Sequence, residues 1–299
     1  MTTLTERTRI LATTKSVPSL PSVVLKLRKY LNDPDVSFDE LAKVIQYDPG
    51  LTANVLQLAN SAYFGWAGTI KSVQGAITRL GTNRIFQMVL CMSVAPLVSK
   101  PIKGYDMDAG SLWEHSIATA VCAEQLALAL KLEGAEDAFT AGLLHDIGKV
   151  VLGTFVDVDD EPIREIVNSD NLAFNEAEMM VLGVDHGEVA AVLLENWQLP
   201  AEVIETAKFH HTPSKASPEH QQMVDLIHVA DMLCLNVGWG QGTDGLQYKL
   251  DERANDRLGV RIGLAEEVVL KVMSGMEDLK DMYKLSTEGK PNGVQHTTR

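Results

Sequence analysis

The stretch Gly142–Leu152, GLLHDIGKVVL, places two strong metal ligands, His145 and Asp146, inside an otherwise apolar run. An imidazole and a carboxylate facing an apolar interior must be hydrogen-bonded, paired or coordinated to a cation, because an unpaired buried charge costs several kcal/mol or more. We read the compensation as a bound metal ion. Gly148 and Lys149 bound the run, so the pair sits near a helix end, where backbone can come close to an ion or anion.

Outward from this pair the chain reads as a succession of helices. A long helix is expected from Ser111 to about Leu132, with Gly134 beyond its end, and another from Glu136 into His145-Asp146. Beyond the pair, Asn175 with Glu178 has the spacing of a capping box, His186 opens a helix ending near Trp197, and Pro200 starts one that runs into His210-His211. Pro213 and Pro218 precede a helix bearing Asp225, His228 and Asp231, and an amphipathic helix from Leu264 to about Met282 closes the fold.

The N-terminal half follows the same rules. Val23, Val24, Leu27, Tyr30 and Leu31 recur at helical spacing until Pro34, and Ser37 with Glu40 forms a capping box for the next helix. Asp48-Pro49 reads as N-cap and first helical residue of a third helix, Ser72 and Gly81 bracket a fourth, and Asn83 caps a fifth that ends at Pro96. Asn60 to Trp66 reads as a polar-aromatic turn packing on the metal-bearing half, since no basic residues interleave its aromatics to make a base-stacking platform. With no strand alternation of useful length, the chain is expected to be all-α, in two packed helical units with the metal site in the second. Ser99–Gly110, rich in Pro, Gly and polar residues, is the expected boundary. The expected segments are an extension over 1–16, a helical half over 17–104, a metal-binding half over 105–284 and a disordered tail over 285–299.

Composition limits the function classes. At 299 residues with 45% hydrophobic and 22% charged side chains, the chain can bury a sizeable core without staples. Cys91, Cys122 and Cys234 form no C-x-x-C pair and lie in apolar segments, which argues against a disulfide framework or a zinc ribbon and for a reducing compartment. The N-terminus lacks the apolar core of a signal peptide, and no apolar run approaches the roughly 20 residues of a spanning helix, so the cytoplasm is the expected location. A net charge of −14 opposes binding to nucleic acid or an anionic membrane, and neither is expected as a partner.

Seven residues of the second half stand out as ligand candidates: His115, His145, Asp146, His186, His210, His211 and Asp231. A single histidine on a helix is ordinarily a packed or surface residue. Five of the eight histidines fall in this set, however, and helices packed in a bundle can direct such residues inward from several segments.

His115, then His145-Asp146, then Asp231 resembles the H…HD…D pattern of the HD superfamily of metal-dependent phosphohydrolases, and His186, His210 and His211 resemble the extra ligands of its HD-GYP branch. In the N-terminal half, Leu20-Pro21, Asp48-Pro49-Gly50-Leu51 and the run Leu58 to Gly65 are similar to the HDOD domain. The resemblance covers about residues 17 to 235 and implies an HD-type helical bundle carrying one or two transition-metal ions, with iron or manganese favoured over zinc. It also implies one ion on His115, His145, Asp146 and Asp231, with Asp146 bridging to a second on His186, His210 and His211. Lys149 resembles the HD-x-G-K lysine that steadies a phosphate oxygen; a solvated surface lysine is the other reading of it. Asp146 and Lys149 are thus the candidate catalytic residues. The implied function is hydrolysis of a phosphorylated small molecule or nucleotide, and the alternative is a noncatalytic signalling module that keeps the fold and its metal and binds a signalling protein. Oxygen activation at a diiron site is a third, smaller branch. After His210-His211 the chain reads TPSKASPE, without the Gly-Tyr-Pro sequence associated with cyclic-dinucleotide activity.

Overall fold

Local signals account for most of the helix starts. In the computed structural model, which describes residues 3–31, 37–61, 69–156, 158–159, 161–170, 172–240, 242, 244 and 248–288, the first helices are α1 (Thr3–Ser16), α2 (Ser22–Leu31) and α3 (Phe38–Gln46). Ser37 caps α3 in the expected reciprocal box with Glu40. Asp48 caps α4 (Pro49–Ala59) by accepting from the amides of Gly50 and Leu51, which α4 cannot satisfy internally. Ser72 and Gly81 bracket α5 (Val73–Leu80), and α6 (Thr82–Val98) follows. The turn from Asn60 to Trp66, and its packing, lie outside the described residues beyond Ser61.

The second half comprises α7 (Ser111–Leu130), α8 (Ala135–Leu144), α9 (Ile147–Val150), a π-helical turn Val151–Val156, α10 (Glu161–Asp170), α11 (Phe174–Leu182), α12 (His186–Asn196), α13 (Ala201–Phe209), α14 (Gln221–Asn236), α15 (Glu252–Leu258) and α16 (Ile262–Glu288). Among the described residues the only extended pairing is an isolated bridge between Ile102 and Met107, so the fold is all-α. The expected disordered tail lies outside the described residues beyond the end of α16.

The chain divides into two compact units, one of residues 21–96 with 277–299 and one of residues 1–20 with 97–276. The division falls at Pro96, inside α6, rather than near residue 105. Ser99–Gly110 is polar enough to read as a linker, yet Ile102, Tyr105 and Met107 are buried in the site-bearing unit. Helix α1, residues 3–16 of the expected extension, belongs to that unit, because Ile10 is buried and the Arg7 guanidinium pairs with Glu188 of α12.

Helix α7 is apolar on nearly every side and accordingly lies in the core, packed along α8 and α14. Gly142 makes its approach to α8 close: a Cβ there would meet Ala120 Cα at 2.7 Å. Gly148 brings α9 against α12, since its Cβ would fall 1.9 Å from the His186 carbonyl oxygen. The 20-residue stretch Asp137–Val156 is long and apolar enough by composition to cross a membrane, contrary to the sequence expectation, but 89% of its apolar window is buried inside the fold. It is the core element that carries the His145-Asp146 pair.

Candidate metal centre

The run Gly142–Leu152 does not continue as one helix. Helix α8 stops at Leu144, Asp146 takes φ −100° and ψ 8°, and α9 begins at Ile147. The break frees carbonyls of the last α8 turn, and one of them, Gly142 O, accepts from His145 Nδ1 at 2.7 Å. The end of α13 repeats the device, with Ala207 O accepting from His210 Nδ1 at 2.7 Å. His115, in the second turn of α7, places Nδ1 3.2 Å from Trp239 O. His186, the first residue of α12, donates from Nδ1 to the Glu178 carboxylate of α11 at 2.7 Å. Four imidazoles therefore have Nδ1 engaged and Nε2 turned inward, the arrangement that fixes a metal-ligating histidine.

The inward atoms meet around Asp146. Its Oδ2 lies 3.5 Å from Nε2 of both His115 and His145, and its Oδ1 lies 3.4 Å from His186 Nε2 and 3.5 Å from His210 Nε2. Asp231 of α14 closes the other side, 3.0 Å from His115 Nε2 and 3.8 Å from His211 Nδ1. The structure thus brings all seven candidates together, in two donor groups that share Asp146: one with His115 and His145, one with His186, His210 and His211. A further group of His145, His210 and Asp231 spans the two.

These residues fit a cation. Asp146 Oδ1, His186 Nε2, His210 Nε2, both ring nitrogens of His211 and both oxygens of Asp231 are buried and lack any hydrogen-bonding partner. Leaving so many polar atoms unsatisfied would cost about 1–3 kcal/mol each, so the cluster is costly to bury without an ion to coordinate. Burial would raise the Asp146 pKa, but the Lys149 ammonium and His145 outweigh it and hold the carboxylate well below its usual range. Burial likewise works against the ionised form of Asp231, and the His115 and His145 imidazoles beside it outweigh that and hold the carboxylate well below its usual range. Desolvation lowers His210 to about 4 and holds His211 well below the usual imidazole value, leaving both imidazoles neutral and ready to ligate. His186 is the exception: burial opposes its charge, yet the Glu178 carboxylate raises it to about 9.

Lys149 is no surface lysine. Its side chain is 3% exposed, and its ammonium sits 2.7 Å from Asp146 Oδ2 and 2.6 Å from Asp244 Oδ2. Glu178, Asp244, Tyr105 and Tyr248 are site residues that the sequence reading does not pick out as functional. Glu178 does not close the expected box with Asn175: Glu176 accepts the Ala173 amide, while Glu178 accepts from the His186 amide at the start of α12, from His186 Nδ1 and from the Tyr105 hydroxyl. The available signal was helical phase, since Phe174, Ala177 and Leu182 share its buried face. Asp244 and Tyr248 lie where no periodicity marks them.

The HDOD domain family matches this chain over residues 17–213. The chain belongs to the HDOD family. HDOD relatives in solved structures share the all-α fold. A crystal structure of an HDOD domain protein of unknown function from Geobacter sulfurreducens is 24% identical, covers 94% of this chain and 98% of its own, and superposes with a TM-score of 0.69. A Shewanella amazonensis SB2B protein carrying the provisional name of phosphohydrolase is also 24% identical, with 93% and 98% coverage and a TM-score of 0.69. One from Marinobacter aquaeolei VT8, provisionally named a signal transduction protein, is 23% identical over 91% of this chain and 60% of its own, with a TM-score of 0.73. An uncharacterized protein of Treponema pallidum (strain Nichols) is 27% identical over 217 residues, 72% of this chain. The chain spans about two fifths of that relative's length, 42%.

Proposed function

We propose that this HDOD protein is a bacterial-type signal-transduction protein with a binuclear metal centre that hydrolyses a phosphoester or nucleotide. The observation that carries the reading is the division of the Asp146 carboxylate, one oxygen facing His115 and His145 and the other facing His186 and His210. His115, His145, Asp146 and Asp231 would hold one ion; Asp146, His186, His210 and His211 would hold the other. Imidazoles with carboxylates suit iron or manganese better than calcium or magnesium. When bound, two such ions clamp a phosphate group and supply a hydroxide nucleophile at neutral pH. The chain's own groups do the rest: Glu178 and the Gly142 and Ala207 carbonyls lock ring orientation, and Lys149 sets a positive charge beside the shared carboxylate, in reach of a phosphate oxygen. Three buried cysteines with no C-x-x-C pair suit the reducing cytoplasm.

A second reading, a noncatalytic module whose metal core signals to a partner protein, draws on the complete burial of the donor atoms. The two separate on a direct measurement. Elemental analysis of protein purified anaerobically should find up to two transition-metal ions per chain, and a panel of phosphomonoesters, phosphodiesters and nucleotides with added manganese or iron should show turnover. Stoichiometric metal without turnover favours the noncatalytic module, and absence of metal removes both.

A further inference from the structure

The donor atoms of the metal centre are shut away. His145 and His186 expose none of their surface, and Asp146, His210 and Asp231 about 1%. A phosphoester has to reach them, so some covering group must give way. The ligands stand on or at the ends of α7, α8, α12, α13 and α14, which bury one another. The connection between α14 and α15 is different: its described residues belong to no helix, yet they touch the site repeatedly. The Asp244 carboxylate sits on Lys149, the Tyr248 hydroxyl donates to Asp244 at 2.9 Å, and the Tyr248 ring stacks on His211 at 3.7 Å and 10°.

Asp244 is a second counter-ion for Lys149. Lys149 already has Asp146 at 2.7 Å, and the site already buries Asp231 and Glu178. A further carboxylate, 1% exposed, adds like charge to an acidic pocket. What it does supply is an anion at the ammonium that otherwise faces a substrate oxygen. We propose that Asp244, seated on Lys149 and backed by Tyr248, is a built-in occupant of a phosphate subsite, so that this chain holds its metal centre closed until the phosphate group of a small molecule displaces the carboxylate. The identity of the displaced anion's competitor rests on the phosphohydrolase reading; the closure does not.

Two variants test it by different means. Asp244→Asn keeps the shape and removes the charge. Gly242→Ala keeps every charge and wedges the connection outward, because a Cβ there would meet the Tyr105 carbonyl oxygen at 2.5 Å. Two quantities are read on the full chain: the affinity for inorganic phosphate by calorimetry, with and without manganese, and the rate at which a chelator strips bound metal. A built-in competitor lowers apparent affinity by the fraction of time the subsite is free, so Asp244→Asn should bind phosphate about tenfold more tightly or better. Both variants should lose metal to the chelator at least about tenfold faster than the unaltered chain, for the same reason. Unchanged phosphate affinity with unchanged extraction overturns the proposal, and weaker phosphate binding in Asp244→Asn overturns it by making Asp244 part of substrate binding. Faster extraction in both variants with no phosphate bound by any of the three proteins supports the closure and overturns the phosphohydrolase reading.

Discussion

Between residues 21 and 96 the described core is made of side chains such as Val24, Leu27, Leu41, Ile45, Val55 and Ile77, with Gln87 the one buried polar side chain among the described residues. The unit of residues 1–20 and 97–276 buries His115, His145, Asp146, Lys149, Glu178, His186, His210, Asp231 and Asp244 together. Both use helices with similar caps, so local structure does not separate them. The difference lies in what the packing encloses. Apolar burial stabilises the first unit at roughly 25 cal/mol per Å² of area removed from water. The second encloses charges that are favourable only while each keeps its partner, and several of its buried polar atoms have no hydrogen-bonding partner within the protein. A unit built that way could hold a cation among its buried donors, whereas the other is organised around its own packing.

The contrast breaks most sharply at Asp146. Asp146→Ala removes the group shared by both donor sets, so metal content should fall nearly to zero and any hydrolysis by several orders of magnitude, as read by elemental analysis and turnover. Replacing His210 and His211 together by alanine should be the next largest change. Metal content should fall by about half and activity by orders of magnitude, because one ion's share of transition-state stabilisation is gone. Unchanged stoichiometry in that double variant would exclude the two-ion assignment.

Ile77→Ala probes the other unit. A fully buried isoleucine cut to alanine should cost about 2–5 kcal/mol of stability, measured by denaturant titration, with metal content unchanged. Glu178→Gln sharpens the comparison from within the site, since it keeps the shape of the His186 support and loses its charge. Metal affinity should fall about 10–100-fold while the fold survives.

The smallest effect is a pH slope. In the metal-free protein His186 carries a second proton below about 9, and that proton must leave Nε2 before the nitrogen can ligate. Metal affinity should therefore rise with pH toward 9, by up to about tenfold per pH unit from this group, and uptake at pH 7 should release about one proton. Calorimetry in buffers of different ionisation enthalpy measures the release. Glu178→Gln should flatten the slope, because the carboxylate that raises His186 is gone.

Helix existence and many helix boundaries were legible because their signals are local. The Ser37 and Asp48 caps, the Ser72 cap and the Gly81 stop form where their residue types and spacing say they should. The seven ligand candidates were legible as a set, because histidines and aspartates in apolar runs are costly to bury without a purpose. Glu178 was missed because a glutamate three residues after an asparagine also satisfies a capping pattern, and only the partner across the fold separates the two. In sequence Lys149 fits either a phosphate-binding or a surface residue, and its burial between Asp146 and Asp244 depends on a residue 95 positions away. In Ser99–Gly110 the polar residues outweigh in sequence the three apolar side chains that the fold buries.

The sequence by itself determined that this chain is all-α, where most helices start, and which histidines and aspartates are candidates for a metal. Those properties depend on residues within one or two turns of each other, where backbone geometry and capping act. Only the tertiary structure decided that the Asp146 oxygens face different pairs of histidines, that Glu178 and backbone carbonyls orient the rings, and that Asp244 occupies the Lys149 ammonium. Each of these joins separate elements, and the energies involved are charge–charge and hydrogen-bonding terms that exist only once packing has removed water from between them.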